Sequence, residues 1–261
     1  MSPHRAVPTI SGTAWPGVSY FCSTREGGVS GGPWSSLNVG LHTGDKASHV
    51  QANRDALRRF LPGDPVWLNQ VHGCEVHDPD HYADVPPGTP PPVPNADAAI
   101  TMQYGRVLAV MTADCLPVVL ASIDGRALGV AHAGWRGLAA GVLENTLAAL
   151  RERHPAAVAW RAWIGPAIGP RHFEVGADVF AAFADHDEQA AHFFAETVPG
   201  TKWLADLPSL ARHRLQRAGV ESIELSGYCT YSRPELFYSY RRDMQTGRLV
   251  TLAWLDNPSS L

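Results

Sequence analysis

The sequence predicts an α+β protein whose sheets are mixed or antiparallel. Three observations carry this. Predicted strands and helices do not alternate strictly along the chain, as a parallel α/β sheet requires. Three short apolar runs, residues 107–113, 118–123 and 127–131, follow one another closely. Parallel strands need crossovers of roughly a dozen residues, so joins this short imply an antiparallel meander. Finally, 261 residues at 45% apolar and 18% charged suit one large domain or two small ones with a sizeable core.

Taken in order, residues 18–23 read as a strand. Residues 47–61 read as a helix, with Val50, Leu57 and Leu61 on one face and charges opposite. Residues 65–71 suit a strand. Within the meander, Asp124-Gly125 is a strong two-residue hairpin signal. Residues 138–153 form a helix with Val142, Leu143, Leu147 and Leu150 as its core stripe. Residues 158–164 are another strand. Residues 175–184 and 207–218 read as helices, the second stopped by Gly219. Residues 237–241 and 249–255 close the chain as a hairpin around Gly247. The Pro-rich stretch 85–95 is a long surface loop between strands, not a domain boundary.

Composition removes several function classes. Lys and Arg total 21 against 25 Asp and Glu, a net charge of −4. No basic block asks for nucleic acid. The apolar runs are broken by Asp114 and Asp124, far short of the roughly 20 residues that span a bilayer. The first twelve residues carry no apolar core of a secretory signal. Cys22, Cys74, Cys115 and Cys229 form no spaced framework, so free thiols or ligands are expected rather than disulfides. The expectation is a cytoplasmic monomer or weak homo-oligomer acting on a small molecule.

The meander makes a site. One strand runs up to Cys115, the next runs down to Asp124-Gly125, and the third runs up to His132. A thiol and an imidazole therefore meet at one sheet edge. His132 can deprotonate Cys115 for attack on a carbonyl. Alternatively both bind a metal; catalytic zinc takes three protein ligands and keeps a fourth position open. His72, at the end of the 65–71 strand, is the best third ligand, and a strand would point Cys74 to the same side. A structural zinc would need a fourth ligand, which Cys74 or His77 can supply.

After His132 the chain runs Ala133-Gly134-Trp135-Arg136-Gly137 into a helix. Glycines admit close backbone approach, and an Arg beside a helix start suits phosphate or carboxylate. Trp135 either stacks on a base or packs. The loops 23–28 and 36–40 supply Arg25 and Asn38. Tyr240-Arg241-Arg242-Asp243 reads as a solvated ion-pair cluster.

The motifs Asn69-Gln70-Val71-His72-Gly73, Thr112-Ala113-Asp114-Cys115-Leu116-Pro117, Ala131-His132-Ala133-Gly134-Trp135-Arg136-Gly137, Ile164-Gly165-Pro166 through Phe173-Glu174-Val175, and Tyr240-Arg241-Arg242-Asp243 with Thr246-Gly247-Arg248 occur in this order. Together with the opening 23–40 segment they resemble the YfiH, or laccase-domain, family over nearly the whole chain. Members carry the labels polyphenol oxidase, purine nucleoside phosphorylase and peptidoglycan editing factor. The resemblance implies a single four-layer αββα domain over residues 1–261, related in core to a cysteine-hydrolase-like fold. It also implies a zinc site, carried over to His72, Cys115 and His132. Copper is the alternative ion, since affinity order and availability compete.

Chemistry weighs the labels. A laccase needs His-x-His pairs, and no two of the 12 histidines stand two residues apart. Nucleoside chemistry fits better. The resemblance implies phosphorolysis of purine nucleosides, methylthioadenosine included, with adenosine deamination at C6 as a side activity. Arg25, Asn38, Gln70 and Arg136 are the candidate substrate and anion ligands in the motif loops. The runner-up is hydrolysis of a mis-incorporated amino-acid amide on a UDP-muramyl precursor.

Overall fold

The computed structural model describes residues 7–81 and 93–257. Of the Pro-rich stretch 85–95, residues 85–92 lie outside the described residues. No helix among the described residues is long and apolar enough to cross a membrane.

Two large mixed sheets dominate. The first has the order β1 (Thr9–Ile10), β2 (Val18–Ser23), β14 (Leu249–Leu255), β6 (Val107–Thr112), β3 (Pro65–Val66), antiparallel except for the β3–β6 pair. The second has the order β13 (Ser222–Leu225), β9 (Trp160–Ile164), β7 (Leu116–Ser122), β8 (Leu128–Ala133), β5 (Ala98–Thr101), β4 (Val76–His77). Its outermost pair at each edge is parallel and its interior is antiparallel. A small antiparallel sheet joins β10 (Glu174–Gly176), β12 (Lys202–Ala205) and β11 (Phe194–Val198).

Alternation along the strands assigns each face. Leu108 and Val110 of β6 pack with Tyr20, Cys22, Val119, Val130 and Trp163 between the two large sheets. Val107, Ala109 and Met111 point the other way, onto Leu57 of α1 (Ala47–Arg58) and Leu61 just beyond it. The far face of the second sheet, with Leu116, Val118 and Leu120, packs on Leu143, Leu147 and Leu150 of α3 (Val142–Arg153) and Leu210 and Leu215 of α5 (Leu207–Arg217). Each such buried side chain contributes about 1.5–3 kcal/mol. Strands buried on both faces read as continuous apolar runs, which is why the sequence reveals them as runs and hides which sheet each joins.

That ambiguity explains the main correction. The β7–β8 hairpin forms at Asp124-Gly125, with Gly125 at φ 67°. However, β6 is not the neighbour of β7. The chain leaves the first sheet at Thr112 and enters the second at Leu116. A short join implies antiparallel pairing only when both strands stay in one sheet. Here Asp114, at φ 89°, turns the chain between sheets. Its carboxylate accepts from Thr230 Oγ1 (2.6 Å), Ser239 Oγ (3.0 Å) and the Arg241 backbone N–H (2.7 Å), which hold the turn.

Other elements differ locally. The expected strand over 65–71 shrinks to Pro65–Val66. The expected helix over 138–153 is two helices, α2 (Trp135–Ala139) and α3, separated at Gly141 with φ 94°. The expected helix start at Val175 is strand β10, and α4 (Ala177–Ala184) follows it. The expected terminal hairpin is absent. Residues 240–243 form the short helix α6 (Tyr240–Asp243), and β14 inserts between β2 and β6. Long-range pairing, which no local turn signal encodes, decides that placement.

Candidate metal centre

Three elements bring the site together. Cys115 immediately precedes β7, and His132 lies near the end of β8, where Pro117 pairs with His132 and Leu116 with Ala133. One hairpin therefore returns His132 beside Cys115; the expected convergence holds by a shorter route than a three-strand meander. His72 sits in a turn at φ 62° rather than on a strand. The backbone N–H groups of Val71, His72 and Gly73 all donate to the Asp97 carboxylate, at 3.1, 3.0 and 2.7 Å. Three donors on one carboxylate hold a left-handed residue that would otherwise cost about 1–2 kcal/mol.

Among the described residues, His72, Cys115 and His132 are the group able to hold an ion, their ligand atoms within 4.8 Å of one another. Cys115 Sγ lies 4.0 Å from His72 Nε2, and the two imidazoles meet edge-on with centroids 4.8 Å apart. The ligand atoms of one tetrahedral zinc lie roughly 3.5 Å apart, so the three side chains would draw together to hold the ion. One thiolate and two imidazoles with an open fourth position form a donor set that fits catalytic zinc. Cys74, expected on the same side, packs instead against the core under the second sheet. Neither it nor His77, in β4, belongs to the group.

Asp97 organises the rest. Its carboxylate is fully buried and contacts His132 Nδ1 at 2.8 Å, while the His132 backbone N–H donates to the Asp97 carbonyl at 2.7 Å. This fixes which imidazole nitrogen faces Cys115. Burial alone would raise the Asp97 carboxyl, but the His132 hydrogen bond and the Gly73 and Val71 N–H groups hold it below its ordinary value. Burial would likewise raise the Cys115 thiol; the charge and hydrogen bond of His132, then those of His72, outweigh it and bring it down to about 6. His132 moves oppositely. Burial disfavours its charge, yet the Cys115 thiolate and Asp97 raise it.

The glycines serve the ligands rather than leaving room for a substrate. A Cβ on Gly134 would lie 2.9 Å from His72 Cδ2 and 3.0 Å from Cys115 Sγ. A Cβ on Gly137 would lie 2.6 Å from the Gly73 carbonyl oxygen. Only Gly lets the start of α2 come this close to the His72 turn.

The expected anion ligands are mostly occupied internally. Arg25 donates through Nε to Ser35 O (2.8 Å) and through a terminal nitrogen to Pro234 O (3.0 Å), and its guanidinium covers Tyr238. Asn38 is fully buried; its amide nitrogen donates to Thr43 Oγ1 and Asp45 Oδ2, and its oxygen accepts from the Gly40 and Arg248 backbones. Gln70 brackets Met111, donating to its carbonyl (2.8 Å) and accepting from its N–H (2.7 Å). Polar loop residues satisfy backbone groups as readily as they bind ligands. Arg136 is exposed over the Trp135 ring at 4.5 Å, and Trp135 packs on the core. The Tyr240–Asp243 cluster keeps Tyr240, Arg241 and Asp243 exposed and carries the Arg242–Asp243 ion pair, but Arg242 itself is anchored inward. Arg242, 16% exposed, donates to Thr230 O, Tyr231 O and Phe237 O, besides pairing with Asp243. A separate cavity of about 440 Å³, lined by Ile164, His172, Tyr228, Cys229 and Arg233, includes none of the three ligands.

Sequence reasoning missed Asp97. Its one signal is an acidic residue heading the apolar strand β5 (Asp97-Ala98-Ala99-Ile100).

Residues 19–256 match the family described as multi-copper polyphenol oxidoreductase laccase. The chain is 49% identical over 250 residues to a purine nucleoside phosphorylase of Xylella fastidiosa, covering 92% of this chain and 93% of that one. It is 47% identical over 246 residues to the purine nucleoside phosphorylase YfiH of Escherichia coli, covering 92% and 96%. Among solved structures, a Neisseria meningitidis protein of the DUF152 family superposes with a TM-score of 0.86 at 42% identity, covering 97% of this chain and 100% of that one. YlmD of Geobacillus stearothermophilus superposes with 0.83 at 31%, covering 93% of each.

Proposed function

This chain belongs to the laccase-like YfiH family, and we propose that it is a zinc-dependent purine nucleoside phosphorylase, with methylthioadenosine phosphorolysis and adenosine deamination as side activities. The observation that carries the reading is the three-donor group His72, Cys115 and His132 on a chain whose near-full-length relatives bear the phosphorylase name. In phosphorolysis a phosphate oxygen bonds to C1′ of the ribose while the C1′–N9 bond breaks. The purine leaves with a proton, and ribose 1-phosphate forms.

His72 Nε2, Cys115 Sγ and His132 Nε2 would hold the zinc, which when bound supplies Lewis-acid assistance to the substrate. Asp97 would hold the Nδ1 proton of His132, so that loss of the Nε2 proton on metal binding leaves the Nε2 lone pair for the ion. The same carboxylate holds the His72 turn. The half-exposed Cys115 and exposed His72 leave the group open to solvent on one side, where a small molecule can enter.

The oxidase in the family's description is not carried forward, because no His-x-His pair exists to build a copper cluster. The muramyl amide reading gains nothing from the relatives above. The test is chromatography of zinc-loaded protein with adenosine, with and without phosphate, beside Cys115→Ala and His132→Ala. Phosphate-dependent adenine and ribose 1-phosphate, lost in both variants, is the expected result. Absence of turnover with every purine nucleoside overturns the reading.

A further inference from the structure

We infer that Arg54 and Arg248 form the subsite for the tetrahedral oxyanion, inorganic phosphate, beside the metal centre; this rests on the phosphorylase reading above. Their placement follows from the backbone. The β14–β6 register pairs Leu249 with Thr112, which sets Arg248 beside Ala113, two residues before Cys115. Arg54 reaches the same edge from α1. Its terminal nitrogen lies 3.9 Å from the sulfur of Met111, the residue whose backbone Gln70 grips two positions before His72.

Both side chains are held rather than free to swing. Arg54 Nε donates to Val39 O at 2.9 Å, and its guanidinium stacks on Trp67 at 3.8 Å. The Arg248 backbone N–H donates to Asn38 Oδ1 at 2.9 Å, and its stem presses on Gly40, where a Cβ would lie 2.7 Å from Arg248 Cγ. One guanidinium nitrogen of Arg248 donates to Gly247 O at 3.0 Å. The buried loop 38–40 is thus the common bracket for two arginines.

What is missing from the bracket is an anion. Among the described residues neither Arg54 nor Arg248 pairs with a carboxylate. Asp114, the carboxylate that acts on Arg248, is already engaged by Thr230, Ser239 and Arg241, and Asp45, which shares Asn38 with Arg248, by Ser30 and Asn38. Partly buried guanidinium groups without a directly paired carboxylate carry a desolvation cost that a bound anion would offset. Burial brings Arg54 down to about 10 and lowers Arg248, the latter against the opposing pull of Cys115, Tyr240 and Asp114. His42 is lowered by burial and then by both arginines, consistent with the shared anchoring of Arg54 and Arg248 on the 38–40 loop. Planar guanidinium forks match a phosphate oxyanion, and two of them placed at the Cys115 edge would hold it against C1′ of a bound nucleoside.

The test uses the zinc-loaded protein, Arg54→Gln and Arg248→Gln, with Arg54→Lys and Arg248→Lys as charge-retaining controls and far-UV circular dichroism as the fold check. Two quantities are read: the thermal midpoint with and without inorganic phosphate, and the KM for phosphate beside the KM for adenosine. The expected result is a phosphate-dependent rise in midpoint that both Gln variants lose, and a phosphate KM raised at least about tenfold with the adenosine KM within about twofold. The Lys variants should fall between. A phosphate KM and a midpoint shift unchanged in both Gln variants overturn the subsite. If wild type turns over no nucleoside, the phosphorylase reading falls by itself. In that case a phosphate midpoint shift lost in both Gln variants still upholds the oxyanion subsite, and absence of any shift in wild type overturns it.

Discussion

The Asp97 carboxylate lies 2.8 Å from His132 Nδ1 and at the same time accepts the His72 backbone N–H at 3.0 Å. One buried acid therefore sets both histidines of the candidate centre: the ring of one, through its proton, and the turn of the other. Outer contacts of this kind matter to a metal nearly as much as the ligands themselves.

Replacing Asp97 by Asn keeps the shape but removes the charge that holds the His132 proton. Asp97→Asn is expected to weaken zinc binding about 10–100-fold, measured by competition with a chelator of known affinity. Affinity within about twofold of wild type would remove Asp97 from the centre.

Thiol reactivity should single out Cys115. Its thiol is brought down to about 6 by His132 and His72, whereas burial pushes the fully buried Cys22 up to about 12. An acid whose pKa is lowered is ionised above that value, and the thiolate is the nucleophile. In zinc-free protein, iodoacetamide should label Cys115 with a rate that rises through pH 6 and is flat by pH 8, while Cys22 stays unlabelled. Peptide mass mapping against pH reads both. A Cys115 rate still climbing between pH 8 and 9 contradicts the geometry.

Gly134→Ala adds one methyl where only 2.9–3.0 Å separates its Cβ from His72 and Cys115. The backbone at Gly134, φ −63°, suits alanine. Bound zinc per chain should fall below one at equal protein and metal concentration, with circular dichroism unchanged.

Gly141→Ala separates two descriptions of the same segment. In a continuous helix over 138–153 the change would stabilise by about 0.5–1 kcal/mol. At the observed φ of 94° it should instead destabilise by about 1–2 kcal/mol. Urea denaturation midpoints decide the sign.

Asn38→Ala distinguishes a structural role for this buried amide from a role as substrate ligand. It leaves the backbone N–H groups of Gly40 and Arg248 without their acceptor in a buried loop. Each such loss costs about 1–3 kcal/mol. A clear drop in stability by urea denaturation is expected; unchanged stability with a raised adenosine KM would return Asn38 to the substrate.

Much of the fold was legible in local pattern. The β2 strand, α1, the Asp124-Gly125 hairpin and α5 with its Gly219 stop are short-range features, each governed by neighbours a few residues away. The pairing of Cys115 with His132 was legible because a two-residue turn forces it. Pairings set by tertiary contact were not: β14 between β2 and β6, β6 apart from β7, and the turn that replaces a strand before His72. Asp97 was invisible because its partners are 24 to 35 residues away. Arg25, Asn38 and Gln70 show, besides their place in motif loops, backbone and side-chain partners that no local pattern announces. A polar side chain in a loop motif has the same appearance whether it meets a ligand or a buried backbone group.

Local sequence carries the residue types of the site, their order, the β7–β8 hairpin and the motifs of the family. Which carboxylate holds the two histidines and which strands share a sheet are set by tertiary contacts alone. The division is physical. Turn geometry and hydrophobic period act over a few residues, whereas counter-charges and backbone partners are chosen among everything that packing brings within about 3 Å.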